Sequence, residues 1–194
     1  MTEKIPDQGA TRVIGKIRDL HDRCFAVLEN TLGDWFIPLG ARILFAMTLM
    51  IYYLNSAATK LGEGVFGVFA PSAGAFAQIL PSVAEHYVYD TNAIPFFPWH
   101  LIVIAGTIGE IVLPILIVIG LFTRLAAIGM IVFVMVQTVV YVAFHAAKLG
   151  AWFDVQASDL IDQRALWVFL FLLLVVKGAG AVSVDAWWRQ SSKR

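Results

Sequence analysis

Four stretches of the chain are almost unbroken apolar sequence, and polar residues collect between them. They run from about Phe36 to Ala58, Leu101 to Phe122, Leu125 to Phe144, and 160 to 178. Each approaches the roughly 20 residues that a helix needs to cross about 30 Å of hydrocarbon. Lipid offers no partners to backbone groups, so each stretch is predicted to be a helix rather than an isolated strand. Ahead of them, Val13, Ile17, Leu20, Cys24 and Leu28 recur at helical spacing, with Lys16, Arg18 and Arg23 on other faces. That pattern predicts an amphipathic helix that either lies in the membrane interface or caps the membrane domain.

The predicted fold is therefore all-α: a polytopic membrane four-helix bundle with an N-terminal amphipathic helix and a long outer loop carrying short helices. Residues 1–35 form the cytoplasmic or interfacial segment, 36–188 the membrane domain, and 189–194 a cytoplasmic tail. The 59–99 connection mixes Gly, Ala and Phe with prolines. A structureless loop of that length is uncommon. One or two short helices followed by an extended "NAIPFFPWH" link are expected, either capping a cavity or resting on lipid.

Composition agrees. Hydrophobic residues are 59% of the 194 and charged residues 14%, against roughly a quarter charged in soluble domains. The excess apolar surface must face lipid. Net charge is zero, which gives no reason to expect a nucleic-acid partner. The single cysteine, Cys24, excludes an internal disulfide and a Cys-x-x-Cys dithiol. No secretory leader is expected from the mixed polar residues 1–35.

Basic residues set the expected direction. Lys4, Arg12, Lys16, Arg18 and Arg23 precede the first span, Arg124 sits between spans two and three, and Arg189, Lys193 and Arg194 close the chain. Both termini are then cytoplasmic, the 59–99 and 145–163 loops face outward, and a bacterial inner membrane is the expected location. Trp35, Trp99, Trp152, Trp187 and Trp188 fall near span ends, as interfacial tryptophans do.

Glu110 is the only charged side chain between Leu101 and Phe122. Counted at 1.5 Å per residue, it lies about 13 Å into its span, and Gln137 lies about 18 Å into the next, at similar depth. Gln137, Tyr141 and His145 share one helix face. Lys60 could reach Glu110 from the end of span one, leaving the carboxyl either paired or neutral by desolvation. Pro114 removes the helical partner of the Glu110 carbonyl. Glu110, Gln137, Tyr141 and Lys60 are thus the candidate intramembrane site. It could handle protons, bind a ligand such as a quinone headgroup, or act as a polar staple between helices. Arg42, Arg124 and Asp185 are read as a structural charge network, Arg42 and Lys177 by snorkelling and Arg124 with Asp185 as a pair at the inner ends.

Metal chemistry is weakly encoded. "HDRC" (21–24) offers two ligands, and Glu85, His86, His100 and His145 share the outer side without specific spacing. No metal site is assigned.

Arg42 opening span one, "SAATKL" at its end, "GEIVLPILIVIGLFTRLAA" across spans two and three, and "KGAGAVSVDAWW" after span four resemble the DoxX family. The resemblance covers roughly residues 40–188, without the first 35 residues and much of the 62–98 insert. Where the family commonly has Gly-Pro-Gly, this chain reads Gly-Ala-Gly. The resemblance implies a four-helix membrane bundle with Glu110, Lys60, Arg42 and Arg124 as site or network residues. It also implies a link to redox systems, since the family takes its name from a small subunit associated with thiosulfate:quinone oxidoreductase. Other members accompany redox-stress proteins or metal-related peptide systems.

The functional expectation is a quinone-contacting or membrane-anchoring subunit of a redox system. It would work in the lipid bilayer with a separate electron-donating protein, because the chain carries no redox residues of its own. The alternatives are a non-catalytic assembly or interaction protein, and a carrier component for a small solute or metal.

Overall fold

A computed structural model describes residues 8–64, 66–145 and 160–192. Among these residues the regular structure is all helical. Helix α1 spans Gln8–Leu32 and α2 Phe36–Ala58. Two short helices follow, α3 (Ala73–Ile79) and α4 (Pro81–His86). The long helices α5 (Leu101–Ile119), α6 (Thr123–Phe144) and α7 (Leu160–Lys177) come next, and α8 (Val184–Ser191) closes the chain. Among the described residues three helices are long and apolar enough to cross a membrane: Phe36–Ala58, Phe96–Ile119 and Thr123–Phe144. The protein is therefore an integral membrane protein. Asp162, Arg164 and Lys177 interrupt the apolar run of α7.

Helix α2 packs on α5 and α7, and α6 packs on α5 and α7. Their shared core holds Phe45, Leu49, Tyr53, Ile117, Met130, Phe171 and Leu174. The buried row Phe45, Leu49, Tyr53, Ala57 recurs every four residues along α2. A 3.6-residue turn would rotate that row about 40° per step off the core. A wider π-type turn at Ala46–Met50 takes up the drift. This keeps both Arg42 and the Ser56–Lys60 end of α2 facing α5.

Local sequence explains where the helices stop. Gly120, in the left-handed region at φ +73°, ends α5 three residues earlier than the apolar run suggested. The amides of Gly120 and Leu121 both return to the Leu116 carbonyl, the glycine-closed helix end. Asp185 accepts from the amides of Phe122 (2.8 Å) and Thr123 (3.0 Å), so α6 opens at Thr123 instead of Leu125. In the 59–99 connection, Ser72 caps α3 by accepting from the Ala75 amide, and Pro81 opens α4. These two helices pack on α5 through Phe76, Ala84, Ile94 and Val103. The expected extended link is shorter than "NAIPFFPWH", because Phe96–His100 is already a wide turn leading into α5.

Helix α1 is continuous, and Ile14, Ile17, Leu20, Phe25 and Leu28 remain exposed along it. It does not cap the membrane helices with its apolar residues. Most of the expected 145–163 loop, with Lys148 and Trp152, lies outside the described residues.

Candidate functional site

Lys60 and Glu110 meet between the end of α2 and the middle of α5. Lys60 Nζ lies 2.8 Å from Glu110 Oε2 and 3.0 Å from Oε1, and each side chain is 3% exposed. Ser56, one turn before Lys60, joins them. Its hydroxyl accepts from Lys60 Nζ at 2.7 Å and donates to Glu110 Oε1 at 3.3 Å, and its carbonyl accepts from Nζ at 3.1 Å. An ammonium has three protons and a carboxylate accepts several hydrogen bonds. Both charges are thus compensated within one cluster, as burial away from water requires.

The loop holds Lys60 in place. The Ser72 amide donates to the Lys60 carbonyl, the Ser72 hydroxyl to the Thr59 carbonyl, and Gln78 Nε2 to Thr59 Oγ1. The segment carrying α3 is therefore fastened to the residue that carries the cation.

A cavity of about 330 Å³ lies against this pair, mainly between α5 and α6. Ser56, Lys60, Glu110, Gln137 and Tyr141 supply polar atoms to its lining, and Gln78 and Ile79 close its α3 side. The remaining wall is apolar: Ile102, Leu113, Val132, Phe133, Val136 and Val140. Glycines make room for it. A Cβ at Gly129 would stand 3.0 Å from Leu113, and one at Gly106 would stand 3.3 Å from Ile79. Ile102, Val132 and Val136 on the rim are exposed. Since α5 and α6 are membrane helices, the opening faces lipid.

Gln137 and Tyr141 share the cavity with Glu110 but do not bond to it. Gln137 Nε2 donates to the Tyr52 hydroxyl at 3.2 Å, and its buried Oε1 has no partner among the described residues. Tyr141 packs beneath the Arg164 guanidinium, 5.1 Å from the ring centroid. Arg164 is itself buried and donates to Thr138 Oγ1 at 2.6 Å. The apolar pattern alone does not single out Arg164. Its position one turn inside α7, immediately before the apolar run from Ala165, was the available signal.

Arg42 does not snorkel to water. It is buried and donates to four carbonyls: Ile117 and Val118 at the end of α5, and Ala179 and Val182 after α7. Arg124 and Asp185 do not pair with each other. Arg124 Nη2 donates to the Val176 carbonyl, while Asp185 is engaged by the α6 amides. These residues fasten helix ends and turns far from Glu110. The dispersed histidines do not assemble: His86 packs on Tyr87 and His100 on Phe76 and Phe96. Among the described residues no group of three or more His, Cys, Asp or Glu side chains could hold a metal ion.

The DoxX family model matches residues 37–146. The chain belongs to the DoxX family. No curated protein and no solved structure matches it. The DoxX region runs from α2 through α6 and includes the 62–98 segment, so it contains Arg42, the Lys60–Glu110 pair and the whole groove. Arg164, Asp185 and "KGAGAVSVDAWW" lie beyond it.

Proposed function

We propose that this DoxX protein is a quinone-contacting subunit of a membrane redox system, with the α5–α6 groove as the headgroup site. One observation carries the reading. The buried Lys60–Glu110–Ser56 cluster forms the polar end of an apolar cavity that opens toward lipid. Small-molecule sites are mostly apolar with a few placed polar groups, and an intramembrane carboxylate is a functional candidate by default. A quinone reaches such a site from the bilayer without crossing water.

The polar groups suit a molecule that alternates between carbonyl and hydroxyl. A quinone oxygen can take one Lys60 proton in exchange for the Lys60–Ser56 hydroxyl contact, while Ser56 keeps its own proton on Glu110. The unpartnered Gln137 Oε1 can accept from a quinol hydroxyl, with Tyr141 nearby as a second hydrogen-bonding group. Reduction of a quinone takes two electrons and two protons. The electrons come from a separate partner protein, and Glu110, exchanging protons with Lys60 beside it, is the proton donor or acceptor.

The proposal includes α7 as a fourth span, which completes a four-helix bundle. Its 18 residues rise about 27 Å, near hydrocarbon thickness, with charges confined to its two ends and the middle packed on α2 and α6. The basic residues around α1, Arg124 and the C-terminus support cytoplasmic termini in a bacterial inner membrane.

A second reading is a non-catalytic assembly or anchoring subunit, and the self-sufficiency of the cluster favours it. Lys60 finds all its partners inside the protein, as a packing staple would.

The test is thermal stabilisation of the purified protein by a short-chain quinone, comparing wild type with Ala105→Phe. Ala105 lines the groove and is exposed, so a phenyl ring closes the mouth without entering the core. Stabilisation of wild type that the variant loses supports the quinone site. A folded wild type with no shift moves the assignment to the anchoring subunit.

A further inference from the structure

We infer that a second site, at the opposite end of the helices from Lys60, binds the headgroup of an anionic phospholipid. The argument is independent of the groove. A concavity of about 690 Å³ lies where the α5–α6 turn meets the end of α7 and the face of α8. Arg124, Lys177 and Arg189 line it, against one carboxylate, Asp185. That carboxylate is already engaged by the amides of Phe122 and Thr123. Among the described residues none of the three cations has an ion-pair partner. The niche is therefore net positive, with its only acid turned toward backbone.

The guanidiniums are positioned with donors to spare. Arg124 spends one N–H on the Val176 carbonyl, and Arg189 spends one on the Asp185 carbonyl. Each arginine has five N–H donors in a fork that matches phosphate oxygens. Gly178 keeps Arg124 in this place. At φ +77° it bends the chain away after α7, and a Cβ there would stand 3.3 Å from Arg124 Nε.

The surroundings fix the ligand as a lipid. The niche lies at the ends of membrane helices, the level at which headgroup phosphates sit. Phe122 and Trp188 meet edge to face at 6.0 Å and are both exposed, as interfacial aromatics are. Leu125 and Val176 leave the niche along the hydrocarbon surface and are 68% and 70% exposed. A phosphate between the cations would thus have an apolar track beneath it for its acyl chains. Basic pockets between membrane helices bind anionic headgroups by this chemistry.

The experiment uses the full chain purified in detergent. Phosphatidylglycerol, phosphatidylcholine with the same acyl chains, or inorganic phosphate is added, and lipid retention and melting temperature are read. Phosphatidylglycerol is expected to be retained and to raise the melting temperature above the phosphatidylcholine value. Lys177→Gln with Arg189→Gln should weaken that retention by roughly fivefold per cation removed. Neither side chain bonds another element, so this double variant should fold. Adding Arg124→Gln should weaken retention further, and Arg18→Gln on α1 should leave it unchanged. Equal effects of the two lipids, or full retention by the double variant, would overturn the proposal. An equal shift from inorganic phosphate alone would assign the niche to a free anion and overturn the lipid assignment.

Discussion

Lys60 Nζ lies 2.8 Å from Glu110 Oε2 across the α2–α5 interface, fifty residues apart in sequence and with almost no exposure of either side chain. Removing one partner of a buried pair leaves an uncompensated charge, which costs roughly 3–5 kcal/mol. Lys60→Met and Glu110→Gln should each lower the melting temperature strongly in detergent. The double variant Lys60→Met with Glu110→Gln should be more stable than the sum of the single losses implies. A double-mutant cycle of unfolding measurements checks this, and additive losses would mean that the two groups do not interact.

Arg42 should behave as a fastener of the opposite helix end. It satisfies carbonyls that a helix terminus and a turn would otherwise leave open. A hydrogen bond from a charged group contributes about 1.5–3 kcal/mol. Arg42→Met is expected to lower stability by several such increments, less than their sum because the bonds share one group. Arg42→Lys should recover only part, since an ammonium cannot copy the planar fork. Per folded molecule, quinone stabilisation should be unchanged, because Arg42 does not line the groove.

Two glycine substitutions should diverge. At Gly120 the backbone is left-handed, and a Cβ would stand 2.6 Å from Ser183 Cβ and 2.9 Å from the Arg42 guanidinium. Gly120→Ala should destabilise by more than the roughly 1 kcal/mol of an ordinary left-handed penalty, since it also displaces Arg42. At Gly109 an added Cβ would meet Phe133 at 3.7 Å, an ordinary contact, within a regular helix. Gly109→Ala should be neutral or slightly stabilising. Melting temperatures of the two variants side by side decide it.

Asp185 couples the α5–α6 turn to α8 through two amides and its own N–H to the Gly120 carbonyl. Asp185→Ala should cost about 1–3 kcal/mol by leaving helix-end donors unsatisfied. Asp185→Asn, which keeps one side-chain acceptor, should cost less. Equal losses would show that the carboxylate geometry is not what holds the turn.

The membrane helices could be read from the chain because apolar runs of span length have few other uses. Glu110 stood out for the same reason, as one acid in an apolar run. Its pairing with Lys60 followed from reach, since a lysine at the end of α2 can extend along the neighbouring helix to a carboxyl in the middle of α5. What helical period could not supply was rotation between helices. Depth alone put Gln137 level with Glu110, yet its amide turns to Tyr52 on α2, because the wide turn at Ala46–Met50 sets which face of α2 points inward. Arg42 reads as a snorkelling side chain because it lies near a span end, and nothing in the apolar pattern marks Arg164 as buried. Burial became possible only because distant carbonyls, and for Arg164 a tyrosine ring and a threonine, arrive around them. Asp185 was placed with Arg124 on charge alone, whereas the α6 amides compete for it successfully.

The most direct measurement is photolabelling of the protein in native membranes with an azidoquinone, followed by mapping of the labelled residues. Label concentrated on the groove walls, within residues 102–113 of α5 and 129–141 of α6, suppressed by excess unlabelled quinone and absent in Ala105→Phe, is the expected result. Label spread evenly over the lipid-facing helices and insensitive to competitor would contradict a quinone site beside the Lys60–Glu110 pair.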